Sequence, residues 1–166
     1  MVTEAHMKNG ANIIACVRKP NDEFISYTKH LEKKFRCEIY VIKLELSDHG
    51  QIKNAGKEII NLNKGIAALI NNAAIIQTSI LQMTSIKNLS EIFNINYFSQ
   101  LLFTQYIVKI MTKQKYGNIV NITSTAAIDG NKGRICYASS KAALSNATIV
   151  MSKELAPYNI RVNAIA

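Results

Sequence analysis

The sequence predicts an α/β fold, a doubly wound parallel sheet with helices on both faces. Three observations carry that expectation. Short apolar runs alternate with longer amphipathic segments along the 166 residues. The short runs are apolar on both faces, as strands are when helices cover a parallel sheet from each side. Most of the residues suited to chemistry fall just past the ends of those runs, where ligands sit in open α/β sheets.

Residues 11–17 (ANIIACV) read as a buried strand, and Asp22–Phe35 as a helix capped by Asn21 or Asp22. Residues 38–44 form the second expected strand. Residues 47–63 form a helix with Ser47 as the candidate cap, since a serine oxygen can accept from the free N–H groups of the first turn. The third strand is 65–71 (GIAALIN), followed by one long helical pattern from 84 to about 113. Gly117–Ile122 is the fourth strand. The helix expected over 137–156 stops at Pro157, whose ring cannot continue the backbone hydrogen bonding. Ile160–Ile165 is the last strand. The length suits one domain with a real core.

Composition narrows the class. Hydrophobic residues make up 48% and charged residues 19%, which reads as soluble and globular. No apolar run reaches the roughly 18 residues that span a bilayer, and residues 1–10 have no signal-peptide layout. A cytoplasmic protein without a membrane partner is expected. The three cysteines, Cys16, Cys37 and Cys136, are scattered and suggest reduced, buried thiols rather than a disulfide framework or a zinc site. The formal charge is +9, but the lysines are spread along the chain with no basic run interleaved with aromatics. That pattern argues against a nucleic-acid partner and for a solvated face, with some attraction for anionic cofactors or partners.

Four places carry candidate chemistry. Tyr137 and Lys141, four residues apart in YASSKAAL, lie one above the other on a helix face. An isolated phenol has a pKa of about 10; an ammonium beside it favours the phenolate and fits it for general acid work. Ser124 follows the strand GNIVNI just beyond its carboxyl end, where its hydroxyl can donate to a carbonyl oxygen gaining charge. Asn71, Asn72, Ala73 and Ala74 leave the third strand as two amides and two very small residues, suited to a tight exit where a ligand approaches the backbone. Asn96 stands among apolar residues in EIFNINYFSQLLF. An interior asparagine is costly to bury without a partner, so it must find one.

In this order and spacing the elements resemble the short-chain dehydrogenase/reductase family, over essentially the whole chain. The family's Asn-Asn-Ala-Gly element looks like residues 71–74. Its helix asparagine falls on Asn96, its serine on Ser124, and its Tyr-x-x-x-Lys on Tyr137 and Lys141. Its arginine-valine-asparagine strand looks like residues 161–166. The resemblance implies a Rossmann-like fold and an NAD(P)-dependent oxidoreductase that moves hydride between nicotinamide and a carbonyl or secondary alcohol, with no metal. It implies that Tyr137 protonates the carbonyl oxygen, that Lys141 assists it and holds the nicotinamide ribose, and that Ser124 orients the substrate oxygen. Asn96 would hold a water linking Lys141 to solvent, and Asn72, Ala73 and Ala74 would line the cofactor.

At the end of the first strand here, where relatives that use NAD(H) carry an acid, stand Val17, Arg18 and Lys19. Cations there favour a 2′-phosphate, so NADP(H) is expected over NAD(H), with Arg18 as a contact. Glu45 and Leu46 fall where the family holds the adenine.

The stretch 117–144 is most similar to the 3-oxoacyl-acyl-carrier-protein reductases, with Gly130, Asn131 and Gly133 before the tyrosine. That likeness implies a small-molecule or acyl-carrier-bound carbonyl substrate, with Lys113 and Lys115 as part of a basic docking patch. It also implies a homodimer or homotetramer at full length, built on the helices of residues 84–113 and 137–156.

Two departures shape a further expectation. The family's Gly-rich turn, Thr-Gly-x-x-x-Gly-x-Gly, has no counterpart here. Residues 1–8 look like the tail of the first helix, and the sequence stops before the Pro-Gly that follows the last strand. The chain therefore reads as truncated at both ends. Loss of a central strand is expected to leave a gap in the sheet or to force its neighbours together, exposing unpaired edges. Weak cofactor binding and marginal stability of the 166-residue chain are the corollary. The same residues also admit an inactive relative that serves as a subunit or binds a nucleotide weakly.

Overall fold

The computed structural model describes residues 2–166; Met1, part of the expected helix tail, lies outside them. The chain opens with α1 (Val2–Met7), β1 (Ile13–Val17), α2 (Asp22–Phe35), β2 (Ile39–Lys43), α3 (His49–Asn61) and β3 (Ala68–Asn71). A 3₁₀ turn (Leu81–Met83) leads to α4 (Ile86–Phe93), a π-helical segment (Asn94–Phe98) and α5 (Ser99–Gln114). Then come β4 (Gly117–Ile122), α6 (Ala126–Asp129), α7 (Ile135–Leu155), a second 3₁₀ turn (Ala156–Tyr158) and β5 (Ile160–Ile165). The expected alternation of strand and helix is present, and every strand pairing among the described residues is parallel.

The sheet is in two pieces. β1 pairs with β2, and β3, β4 and β5 form a separate three-stranded sheet, with no ladder joining β1 to β3. Among the described residues β1 and β3 are not forced into a pair.

Strand alternation shows how the layers form. In β1, Ile13 faces one apolar cluster while Ile14 and Cys16 face another; in β2, Ile39 and Ile42 divide the same way. The smaller cluster is Met7, Leu31 and Cys37, from α1, α2 and the turn before β2. The larger draws Ile52 and Ile59 from α3, Phe103 and Met111 from α5, Ile119 from β4 and Val162 from β5. It packs against both sheet pieces, so α3 and α5 hold together what the ladder does not. The approach of α3 to α5 is close enough that a Cβ on Gly56 would lie 2.3 Å from the Tyr106 ring. All three cysteines are free, with Cys37 and Cys136 buried.

Local details depart from expectation in several places; β3, for one, begins at Ala68, three residues later than expected. The cap of α3 is Asp48, whose carboxylate accepts from the N–H groups of Gly50 and Gln51, not Ser47. A carboxylate is the better acceptor at the positive end of the helix dipole. The single helix expected over 84–113 is interrupted at Asn94–Phe98 by one π turn. The helix expected over 137–156 begins two residues earlier, at Ile135, and gives way at Ala156 to a 3₁₀ turn. Asn21 does cap α2, accepting from the Phe24 N–H at 2.9 Å. No helix among the described residues is long and apolar enough to cross a membrane.

Candidate active site

The site is assembled around the first turns of α7. Tyr137 and Lys141 share one helix face, and the Lys141 Nζ lies 5.9 Å from the centre of the Tyr137 ring, within cation–π range. Lys141 is only 1% exposed, and its ammonium donates to the Ile122 carbonyl at 2.6 Å. That carbonyl ends β4, two residues before Ser124. One side chain thus joins the helix that carries the tyrosine to the strand that delivers the serine. Burial pushes the Lys141 ammonium below its ordinary value of 10.5, because a low-dielectric surrounding disfavours the charged form.

The exit of β4 is itself fixed. Thr123 donates to the Ile165 carbonyl through its N–H at 2.7 Å and through its hydroxyl at 3.0 Å. Ser124 follows, half-buried, and its Oγ accepts from the Ala126 N–H at 3.2 Å, which leaves the hydroxyl hydrogen free to donate elsewhere. The connection from α6 to α7 turns through Gly130 and Gly133, both with positive φ. It is held to the exit loop of β3 by the Ser79 N–H, which donates to the Gly133 carbonyl at 2.9 Å. Between them lies an open cavity of about 700 Å³. Its lining includes Ile80, Leu81, Lys132, Ile135 and Ser139.

Asn96 sits in the π segment and is fully buried. Its amide donates to the Ile75 carbonyl at 2.9 Å and to Ser140 Oγ at 3.2 Å, and its oxygen accepts from the Ile75 N–H at 2.8 Å. Ser140 in turn donates to the Tyr137 carbonyl at 2.7 Å. Both amide hydrogens of Asn96 are therefore spent on bracing the β3 exit against the start of α7. A water held here would have to use the second lone pair of the side-chain oxygen or the backbone.

The other named residues sit at the carboxyl ends of the strands. Asn71 is buried and donates to Thr104 Oγ1 and to Asn121 Oδ1, both at 2.9 Å. Asn72, Ala73 and Ala74 are exposed beyond it, and the Ala73 carbonyl accepts from Gln100 at 2.6 Å. At the end of β1, Arg18 is largely exposed and lies 3.8 Å from the Glu45 carboxylate beyond β2. Glu45 also accepts from the Ser47 N–H at 3.2 Å. The Leu46 carbonyl accepts from Ser99 at 2.5 Å, while the Leu46 side chain packs on the main core. The structure thus brings Tyr137, Lys141, the β4 exit and Asn96 into one bonded set, and Arg18 with Glu45 into another.

Several participants were not anticipated. Asn121 joins Asn71 and donates to Thr148 at 2.8 Å, so a buried polar chain runs from α5 through β3 and β4 to α7. Ser99, Gln100 and Ser140 are also new. Only the three-residue spacing of Ser140 from Tyr137 could have marked it; Ser99 and Gln100 look in sequence like ordinary polar helix residues, and Asn121 like an ordinary strand residue.

A nicotinamide dinucleotide can be tested against these groups. An exposed cation, Arg18, faces the Glu45 carboxylate at the β1 exit, small exposed residues stand at the β3 exit, and a buried ammonium stands beside a phenol at the β4 exit. The ammonium and the phenol suit the nicotinamide end of such a cofactor, and the guanidinium at the β1 exit suits its adenosine end. No metal-binding group of three or more His, Cys, Asp or Glu occurs among the described residues.

A model of the short chain dehydrogenase family matches residues 1–166. The chain is 35% identical over 138 residues to a 3-oxoacyl-[acyl-carrier-protein] reductase of Aquifex aeolicus, covering 83% of this chain and 56% of that protein. It is 35% identical over 161 residues to the enzyme of the same name from Thermotoga maritima, covering 96% and 64%. It is 32% identical over 126 residues to a cyclopentanol dehydrogenase of Comamonas testosteroni, covering 76% and 50%. The chain thus spans 56% and 64% of the length of the first two relatives. A short-chain dehydrogenase structure from Streptomyces avermitilis superposes with a TM-score of 0.85 at 22% identity, over 98% of this chain and 59% of that one. At that identity the likeness concerns the fold.

Proposed function

The chain belongs to the short-chain dehydrogenase family, and from that premise we propose that it serves NADP(H)-dependent reduction of a carbonyl group, with a 3-oxoacyl thioester as the favoured substrate. The observation that carries this reading is the buried Lys141 ammonium, held on the Ile122 carbonyl beside the Tyr137 ring. In the proposed reaction the Tyr137 hydroxyl gives its proton to the substrate oxygen as that oxygen gains electrons. The Lys141 charge stabilises the negative charge left behind. The Ser124 hydroxyl donates to the same substrate oxygen. The nicotinamide, when bound, supplies the hydride.

Preference for NADP(H) over NAD(H) is supported by the exposed guanidinium of Arg18, a planar donor fork suited to a phosphate. An acyl chain suits the cavity of about 700 Å³ beside α7, whose wall includes Ile80, Leu81 and Ile135. Lys113 and Lys115, at the end of α5, are exposed cations that an acidic carrier protein could meet. A homodimer or homotetramer is supported by the groove of about 370 Å³ between α5 and α7, lined in part by Leu101, Val108, Val150 and Met151. A cytoplasmic setting goes with this reading. The unpaired edges of β1 and β3 favour a second one, in which the chain binds nucleotide weakly and acts as a subunit.

The test is NADPH oxidation with an acetoacetyl thioester, using the 166-residue chain alone and with whatever flanking residues its gene encodes. Thioester-dependent oxidation, faster with NADPH than with NADH, supports the first reading. No oxidation in either form, with measurable nucleotide binding, supports the second. Oxidation of simple ketones alone overturns the substrate assignment.

A further inference from the structure

Consecutive residues at the start of α5 hold the exits of two different sheet pieces. Ser99 Oγ donates to the Leu46 carbonyl at 2.5 Å, just past β2. Gln100 Nε2 donates to the Ala73 carbonyl at 2.6 Å, just past β3. Neighbours on a helix point about 100° apart, so one helix end can reach to both sides. β2 belongs to the two-stranded piece and β3 to the three-stranded piece, and no backbone ladder joins them. These two side-chain bonds therefore cross the break in the sheet at its carboxyl end.

Their burial shows that they are built in. Ser99 is 0% and Gln100 2% exposed. The Gln100 oxygen is buried without a hydrogen-bond partner among the described residues. An unpaired buried acceptor is destabilising, so an apolar side chain of similar size would serve the core better. The helix that carries the pair is firmly seated, since Gly56 of α3 lies directly against Tyr106 nearly two turns further along.

We propose that Ser99 and Gln100 are positioning residues that fix the distance between the β2 and β3 exits, and that this span governs how well the chain accepts a dinucleotide. The inference rests on the cofactor reading above. It adds that the two rims of the cofactor site are set from behind by one helix end, not by the sheet itself. Gln100 would act mainly on the β3 side and Ser99 on the β2 side.

The experiment compares the parent chain with Gln100→Met and Ser99→Ala. Amide hydrogen exchange at residues 45–48 and 72–75 is read without ligand, and affinities for NADPH and for 2′,5′-ADP are read by titration. Gln100→Met should melt no lower than the parent. It should exchange about tenfold faster at 72–75 and bind NADPH about tenfold more weakly, with 2′,5′-ADP changed by less than about twofold. Ser99→Ala should loosen 45–48 and weaken both ligands. Unchanged exchange in both segments overturns the clamp while leaving the cofactor reading intact. Faster exchange with unchanged NADPH affinity overturns the link to the cofactor. A parent chain that binds neither nucleotide sinks the cofactor reading, and this inference with it.

Discussion

The Lys141 ammonium donates to the Ile122 carbonyl at 2.6 Å while lying 5.9 Å from the centre of the Tyr137 ring. A buried cation is an expensive way to tie a helix to a strand, because the charge must leave water. Lys141→Met should therefore separate stability from activity. The melting temperature should stay level or rise. Turnover, if the proton-transfer reading holds, should fall by about 10²-fold or more. Thermal unfolding and steady-state kinetics on the same preparation check both halves.

The same burial predicts a pH dependence of stability. Lys141 has a folded value below its ordinary 10.5, so between the two values the unfolded chain binds more protons. Stability should then rise with pH across that alkaline window. Below the folded value the cost of burying the charge is fully present; above 10.5 it is gone. Denaturant titrations from neutral to alkaline pH should show this component in the parent and not in Lys141→Met.

The polar chain Asn71–Asn121–Thr148 predicts strong non-additivity. Asn121→Leu alone strands an Asn71 hydrogen and should cost about 1–3 kcal/mol. Asn71→Leu combined with Asn121→Leu removes both sides of that bond and should cost clearly less than the two single losses added together. Equilibrium unfolding of the three variants measures the coupling.

Gly56 predicts a steric effect. A methyl group there meets the Tyr106 ring at 2.3 Å, so Gly56→Ala should destabilise the α3–α5 contact by about 1–3 kcal/mol. Adding Tyr106→Ala should relieve the clash, making the pair less damaging than the sum of the single changes. Urea midpoints for the four proteins test this.

Much of the fold was legible because its signals are local. β4 and β5 have the bounds expected, since Gly117 and the Pro157–Asn159 turn punctuate their apolar runs. The π turn at Asn94–Phe98 was hidden, because one extra residue in a helix barely alters a continuous apolar pattern. Its trace was Asn96 itself, an amide out of place among apolar neighbours. Ser47 and Asp48 are adjacent residues that both make good caps, and periodicity cannot choose between them. At the site, Tyr137, Lys141 and Ser124 stood out by spacing. Ser99, Gln100, Asn121 and Thr148 did not, because their meaning lies in partners 27 to 53 residues away.

The most direct measurement is the rate of NADPH-dependent thioester reduction by Tyr137→Phe beside the parent chain. Removal of one phenolic oxygen should lower kcat by about 10²-fold or more while leaving the melting temperature and the NADPH affinity close to the parent's. A variant that turns over within about twofold of the parent would show that Tyr137 is not the proton donor, and the assignment of Lys141 as its electrostatic support would fall with it.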